Sequence, residues 1–166
     1  MVQVRVAGVA MDAVGDHVIL LKPLDALPGE GRVLPIWIGA QEATSILLAI
    51  DGAEVPRPMS HDLMRAMLAS LDANVARVEV TRVEEGTFFA EVTVAGAGVV
   101  TLDARPSDAI ALASRTGAPI FVADDVLAVA GIVDITAEGD EDGDAEGNVE
   151  EFRRFLDDVD PDDFRE

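Results

Sequence analysis

Two short stretches of the chain gather residue types that can act on a phosphate group. Arg57-Pro58-Met59-Ser60-His61-Asp62-Leu63 sets a guanidinium, a hydroxyl, an imidazole and a carboxylate close together where a helix is expected to begin. Free backbone N–H groups at such a start favour anions, and an imidazole can serve as general acid or base near neutral pH. Asp103-Ala104-Arg105-Pro106-Ser107-Asp108-Ala109 repeats the theme at a second strand-to-helix junction. Facing each other, the two starts would clamp a phosphate with two arginines and place carboxylates for a divalent metal. The plainer alternative is structural. Ser60 would cap, Asp62 would satisfy the helix dipole and His61 would fill a surface groove, while Arg105 would pair with a local carboxylate.

Other polar residues carry less. Glu42, with Gln41, lies near the start of another helix, where a carboxylate is ordinarily structural. Glu84, Glu85 and Glu91 read as solvated charges, and His17 as a packing or surface histidine. No P-loop, G-x-S-x-G, H-E-x-x-H or G-x-G-x-x-G pattern occurs. Two histidines and no cysteine exclude a multi-histidine centre, thiolate ligands, disulfides and a cysteine nucleophile.

These junctions need strands and helices to hold them. Val2, Val4 and Val6 alternate as a strand, His17 to Leu21 forms a second apolar run, and Val33 to Ile38 a third, with Pro35 pointing to an edge or a strand start. The segment from Leu27 to Gly31 reads as a loop. Ala43, Ile46, Leu47 and Ile50 follow helical spacing up to Asp51-Gly52. A second helix starts at Ser60, expected as its N-cap, with Leu63, Met67, Leu68 and Leu71 as its expected buried face. Three alternating runs joined by Glu84-Glu85-Gly86 and Gly96-Ala97-Gly98 predict an antiparallel meander. A helix from Pro106 to Ser114 or Arg115 is apolar almost all round, so it is expected to be central. Ile120 to Val122 reads as a last strand and Asp124 to Ala130 as a short helix.

At 166 residues the chain suits one domain and a tail, and 49% hydrophobic residues can build a core. Of 32 acids and 12 bases, 15 acids and 3 bases fall in 134–166, which leaves 17 and 9 in 1–133. The tail is therefore strongly acidic and the body mildly so. That balance disfavours non-specific nucleic-acid binding, where phosphate neutralisation supplies most of the affinity. Eleven of the 12 bases are arginine, a bias that also follows from a GC-rich genome. No apolar run is long enough to span a membrane, and the N-terminus lacks the order of a signal peptide, so a cytoplasmic protein without membrane partners is expected. The expected organisation is one α+β domain over 1–133, an antiparallel or mixed sheet packed by helices. An acidic, glycine-rich linker over 134–148 and a tail over 149–166 follow. In that tail Phe152, Phe155, Leu156 and Val159 space as a short amphipathic helix, able to contact its own body, a protein partner or a twin subunit in a homo-oligomer.

Four motifs in order carry a family resemblance: Leu34-Pro35-Ile36-Trp37-Ile38-Gly39 with Glu42-Ala43; Arg57 through Leu63; Glu85-Gly86-Thr87-Phe88-Phe89-Ala90; and Ala104 through Ala113. Across roughly 1–133 the chain resembles the bifunctional nuclease domain family, and its tail resembles that of actinobacterial members. The family pattern usually has Thr at the place of Ser60; both supply a hydroxyl. The resemblance implies an α+β domain acting on DNA and RNA. Joined to the two junctions, it gives metal-assisted phosphodiester hydrolysis. Asp62, Asp108 and Glu42 would hold Mg²⁺ or Mn²⁺. His61, with Asp62 and Asp108, would be catalytic, and Arg57, Arg105, Ser60 and Ser107 would bind phosphate. Nucleic acid should bind weakly and in a salt-sensitive way. Other readings stay open. The domain could be a non-catalytic regulatory module binding an anion or a protein, and the acidic tail a phosphate mimic that occupies a basic cleft.

Overall fold

The computed structural model describes residues 1–27 and 31–134. The order of elements is β1 (Val2–Met11), β2 (His17–Pro23), β3 (Arg32–Ile38), α1 (Ala40–Ile50), α2 (Ser60–Ser70), β4 (Asn74–Glu84), β5 (Thr87–Ala95), β6 (Val99–Ala104), α3 (Pro106–Thr116), β7 (Ile120–Val122), α4 (Asp124–Ala130) and β8 (Ile132–Val133). The expected linker over 134–148, apart from Asp134, the tail over 149–166 and most of the 27–31 loop lie outside the described residues.

The fold is α+β with one mixed sheet in the order β6-β5-β4-β7-β1-β2-β3-β8. Two antiparallel meanders, β1-β2-β3 and β4-β5-β6, are joined by the three residues of β7. That strand pairs antiparallel with β1 and parallel with β4. Ile120 therefore stands between Val4 and Val78, and each of the three is buried. Pro35 lies opposite Leu20, while β8 pairs only with Arg32 and Val33. The missing N–H of Pro35 thus falls where β8 no longer reaches, as an edge position demands. Lys22, the sole lysine, is buried in an ion pair with Asp134.

The helix α3 is the centre of the helical layer. It lies on β4 and β5 and packs against both α1 and α2. Pro106, Ser107 and Ala109 to Ala113 are buried, and Gly117 ends the helix with a left-handed φ of 72°. Such a C-terminus suits glycine, which carries no Cβ. The helix α1 buries Ala43 and Ile46 as its spacing predicts, but Leu47 and Ile50 of the same expected face are exposed, and Ser45 is buried in their stead.

The helix α2 departs from expectation. Leu63, Met67 and Leu71 are exposed, Leu68 is only partly covered, and the buried residue is His61. The physical reason is competition for the sheet. The more apolar α3 covers β4 and β5, so α2 leans mainly on α3 and its apolar stripe faces outward. Ser60 is also not the cap. Met59 holds the N-cap position, and its N–H donates to the Asp62 carboxylate at 2.9 Å. A carboxylate at the third helical position thus satisfies the N–H of the cap residue itself, one half of a capping box.

Candidate functional site

Three helix N-termini meet at one cleft of about 210 Å³, lined by Glu42 and Ser45 from α1, Ser60, His61 and Met64 from α2, and Arg105 and Asp108 at the start of α3. Each reaches it through its own local structure. Pro106 sets the start of α3 with the φ a first helical turn needs, so Arg105 stays extended at the N-cap and Asp108 falls in the first turn. Gly39 is the N-cap of α1, and the Glu42 carboxylate folds back over it. A Cβ on Gly39 would overlap Glu42 Oε2.

The cleft is built around two cross-linked groups. Arg105 donates from Nε to Asp108 Oδ2 at 2.7 Å and from Nη2 to Glu42 Oε1 at 3.0 Å. The Asp108 carboxylate, foremost, and Glu42 hold the guanidinium in its charged form. Arg105 is nevertheless exposed, so its fork remains within reach of a ligand. Behind it, the buried His61 ring has Nδ1 2.9 Å from Ser45 Oγ. His61 Nε2 lies 3.4 Å from Asp108 Oδ1 but is not in hydrogen-bonding geometry, and it is a buried polar atom with no partner. The Ser45 hydroxyl can donate to Nδ1 or accept from it, and Nε2 is the ring nitrogen on the side of Asp108.

Asp62 belongs to a different neighbourhood. Its Oδ1 accepts from Arg115 Nε at 2.8 Å, while the Arg115 Nη1 donates to the carbonyl of Ser45 at 2.7 Å. The Met59 N–H, above all, and then Arg115 and Arg65 hold the Asp62 carboxyl below its usual range, against the opposing effect of burial. Asp62, Arg65, Ser114 and Arg115 line a second cavity of about 230 Å³ on the other flank of α2.

The structure therefore brings Glu42, His61, Arg105, Asp108 and Ser60 together and separates Asp62 from them. Arg57 is exposed on the loop before α2 and lines neither cavity; Ser107 is buried in the first turn of α3 and lines neither. Among the described residues no three histidine, aspartate or glutamate side chains converge as a metal cluster. Glu42 and Asp108 still form a two-carboxylate pair, now bridged by the Arg105 cation. Magnesium commonly binds one or two carboxylates and completes its shell with phosphate oxygens and water, so this pair fits a divalent ion in its donor chemistry.

Sequence reading missed Ser45 and Arg115. Arg115 carries a signal in hindsight, since a charge on a helix apolar nearly all round needs a buried partner. Ser45 interrupts the apolar phase of α1, but nothing in its neighbours names His61 as its partner.

Residues 24–134 match the family model described as "Bifunctional nuclease domain". An uncharacterized protein of Mycobacterium tuberculosis is 42% identical over 166 residues, covering 98% of each chain. "Bifunctional nuclease 1" of Arabidopsis thaliana is 31% identical over 63% of this chain and 32% of its own length. "Bifunctional nuclease 1" of Oryza sativa subsp. japonica is 29% identical over 67% of this chain and 34% of its own. The chain thus spans about a third of these plant proteins.

Proposed function

Because the chain belongs to the bifunctional nuclease domain family, we propose that the cleft between α1, α2 and α3 hydrolyses phosphodiester bonds of DNA and RNA with a divalent metal. Support comes from one observation above others: the buried His61 ring, whose Nε2 makes no hydrogen bond and lies 3.4 Å from Asp108 Oδ1, beside the exposed Arg105.

Arg105 exchanges a carboxylate for the scissile phosphate and neutralises charge as it builds on the equatorial oxygens. Glu42 and Asp108, one of them freed by that exchange, would hold Mg²⁺ or Mn²⁺, which would supply polarisation of the phosphate and acidification of water. Nε2 of His61 takes a proton from the attacking water, whose oxygen bonds to phosphorus as the bond to the leaving sugar oxygen breaks. For that step the Ser45 hydroxyl accepts from Nδ1–H, which leaves Nε2 unprotonated. Ser60 hydrogen-bonds the phosphate at the cleft rim. Asp62 positions the first turn of α2 through Met59 and Arg115 and takes no part in the bond change.

The competing reading is a non-catalytic anion-binding module, for which the exposed Arg105 guanidinium suffices without a metal. Purified full-length chain incubated with single-stranded DNA and RNA, with Mn²⁺, with Mg²⁺ or with a chelator, separates the two. Metal-dependent cleavage that His61→Gln and Asp108→Asn each slow by about 10²- to 10⁴-fold is the expected result. Binding without cleavage under all conditions makes it an anion-binding module instead.

A further inference from the structure

The second cavity, of about 230 Å³, lies between the end of α1 with the loop after it and the facing sides of α2 and α3. Asp62, Arg65 and Arg115 make its charged wall, and Leu48, Ala49, Ala53 and Val55 an apolar one. Arg115 is buried, its side chain only 5% exposed, and a buried guanidinium is costly unless its donors are met. Nε donates to Asp62 Oδ1 and Nη1 to the Ser45 carbonyl. Nη2 makes no hydrogen bond among the described residues, and it is not one of the side-chain atoms closed off from solvent. Its two N–H groups therefore open into the cavity that the residue lines. Arg65 is exposed on α2, one turn beyond Asp62. Its hydrogen bond from Nη1 to the Arg115 carbonyl is 3.4 Å long, which leaves most of its five donors free.

The charge of this wall is opposite to that of the body. Asp62 has both oxygens engaged, Oδ1 by Arg115 and Oδ2 by the Met59 N–H. Among the described residues no other acid lines the cavity; Asp51, Glu54 and Arg57 are exposed beyond the end of α1, outside the lining. The carbonyls of Leu47, Leu48 and Ala49 at that helix end already accept from the N–H groups of Asp51, Ala53 and Gly52. Two guanidinium groups against one carboxylate leave a net positive cavity on a body with 17 acids and 9 bases.

We propose that this cavity binds a small organic phosphate ester, its phosphate between Arg65 and Arg115 and its carbon body against the apolar wall. A carboxylate offers two oxygens in one plane, which a single guanidinium fork meets. Two guanidinium groups on two helices suit the diverging oxygens of a phosphate instead, and a monoester carries a charge of about −1.5 to −2 at pH 7. The volume falls below the roughly 300 Å³ at which pockets for drug-sized ligands begin, so the organic part is of pentose size, free or as the sugar phosphate of a mononucleotide. The inference does not depend on the nuclease reading.

Calorimetric titration of the full chain at low salt, with a chelator present, tests the site with ribose 5-phosphate, AMP and inorganic phosphate. Ribose 5-phosphate is expected to bind about ten-fold more tightly than inorganic phosphate. Arg65→Gln, at an exposed side chain, should weaken ribose 5-phosphate by about ten-fold. Ala49→Leu, which fills the cavity from its apolar wall, should weaken it by a similar factor. Circular dichroism spectra of both variants should match that of the wild type, and Arg105→Ala should leave the affinity unchanged. AMP as tight as ribose 5-phosphate extends the ligand to mononucleotides, and weaker AMP confines it to the free sugar phosphate. No binding of ribose 5-phosphate, equal affinity for it and inorganic phosphate, or a loss in Arg105→Ala in place of Arg65→Gln would each overturn the proposal, the last moving the phosphate to the cleft between α1, α2 and α3.

Discussion

His61 Nε2 and Asp108 Oδ1 stand 3.4 Å apart, although 47 residues of chain separate them and each belongs to the first turn of a different helix. The contact exists because α2 and α3 both begin at the same cleft. If Nε2 is the base, both side chains are needed for turnover and neither for folding. His61→Gln and Asp108→Asn should each lower kcat by about 10² to 10⁴, with a circular dichroism spectrum like that of the wild type. Full activity in either variant would remove the pair from the mechanism.

Asp62 should behave in the opposite way. Its carboxyl is held below the ordinary value of 3.8, first by the Met59 N–H and then by Arg115. The ionised form is therefore the one that stabilises the fold. That contribution is complete above about pH 5 and is lost as pH falls through the depressed pKa. With discounting for its partial contact with solvent, Asp62→Ala should cost about 1 kcal/mol at pH 7. Urea denaturation from pH 7 down to pH 2.5 should show the wild type and the variant converging at the acid end. A constant gap across that range would contradict the assignment.

Gly39 has ordinary extended φ and ψ of −70° and 156°, so alanine is acceptable to the backbone there. The added Cβ instead meets the Glu42 carboxylate. Gly39→Ala should therefore change stability by less than about 1 kcal/mol while displacing Glu42 from Arg105. Its kcat/KM should fall to the level of Glu42→Gln, and combining the two should give no further loss. Additive effects would mean that Glu42 is not the group displaced.

Arg105 offers the cleft its exposed cation. On a body with 17 acids and 9 bases, affinity for a single-stranded oligonucleotide should be weak and steeply dependent on salt. Arg105→Ala should reduce the slope of log affinity against log salt by about one. Arg57→Ala, outside both cavities, should change it less; the reverse order would move the phosphate to the loop before α2.

Much of the architecture was legible from sequence alone. Alternation with glycine turns defines the β4-β5-β6 meander, and the nearly all-apolar stretch from Ala109 to Ala113 specifies a central helix, because both signals arise from burial that a residue's immediate neighbours reveal. The two Arg-Pro junctions likewise mark helix starts, since proline and the acidic first turn act locally. Tertiary structure decided the rest. Whether Leu63 and Met67 face the core depends on α3 occupying β4 and β5 first, and no feature of α2 records that. The similar junctions also diverge in space: Asp108 turns toward His61 and the cleft, whereas Asp62 is drawn to Arg115 from the far end of α3. A carboxylate follows the donors within a few ångströms: for Asp108 that is Arg105, three residues away, whereas Asp62 adds to the nearby Met59 N–H a guanidinium, Arg115, from 53 residues away, which nothing local records.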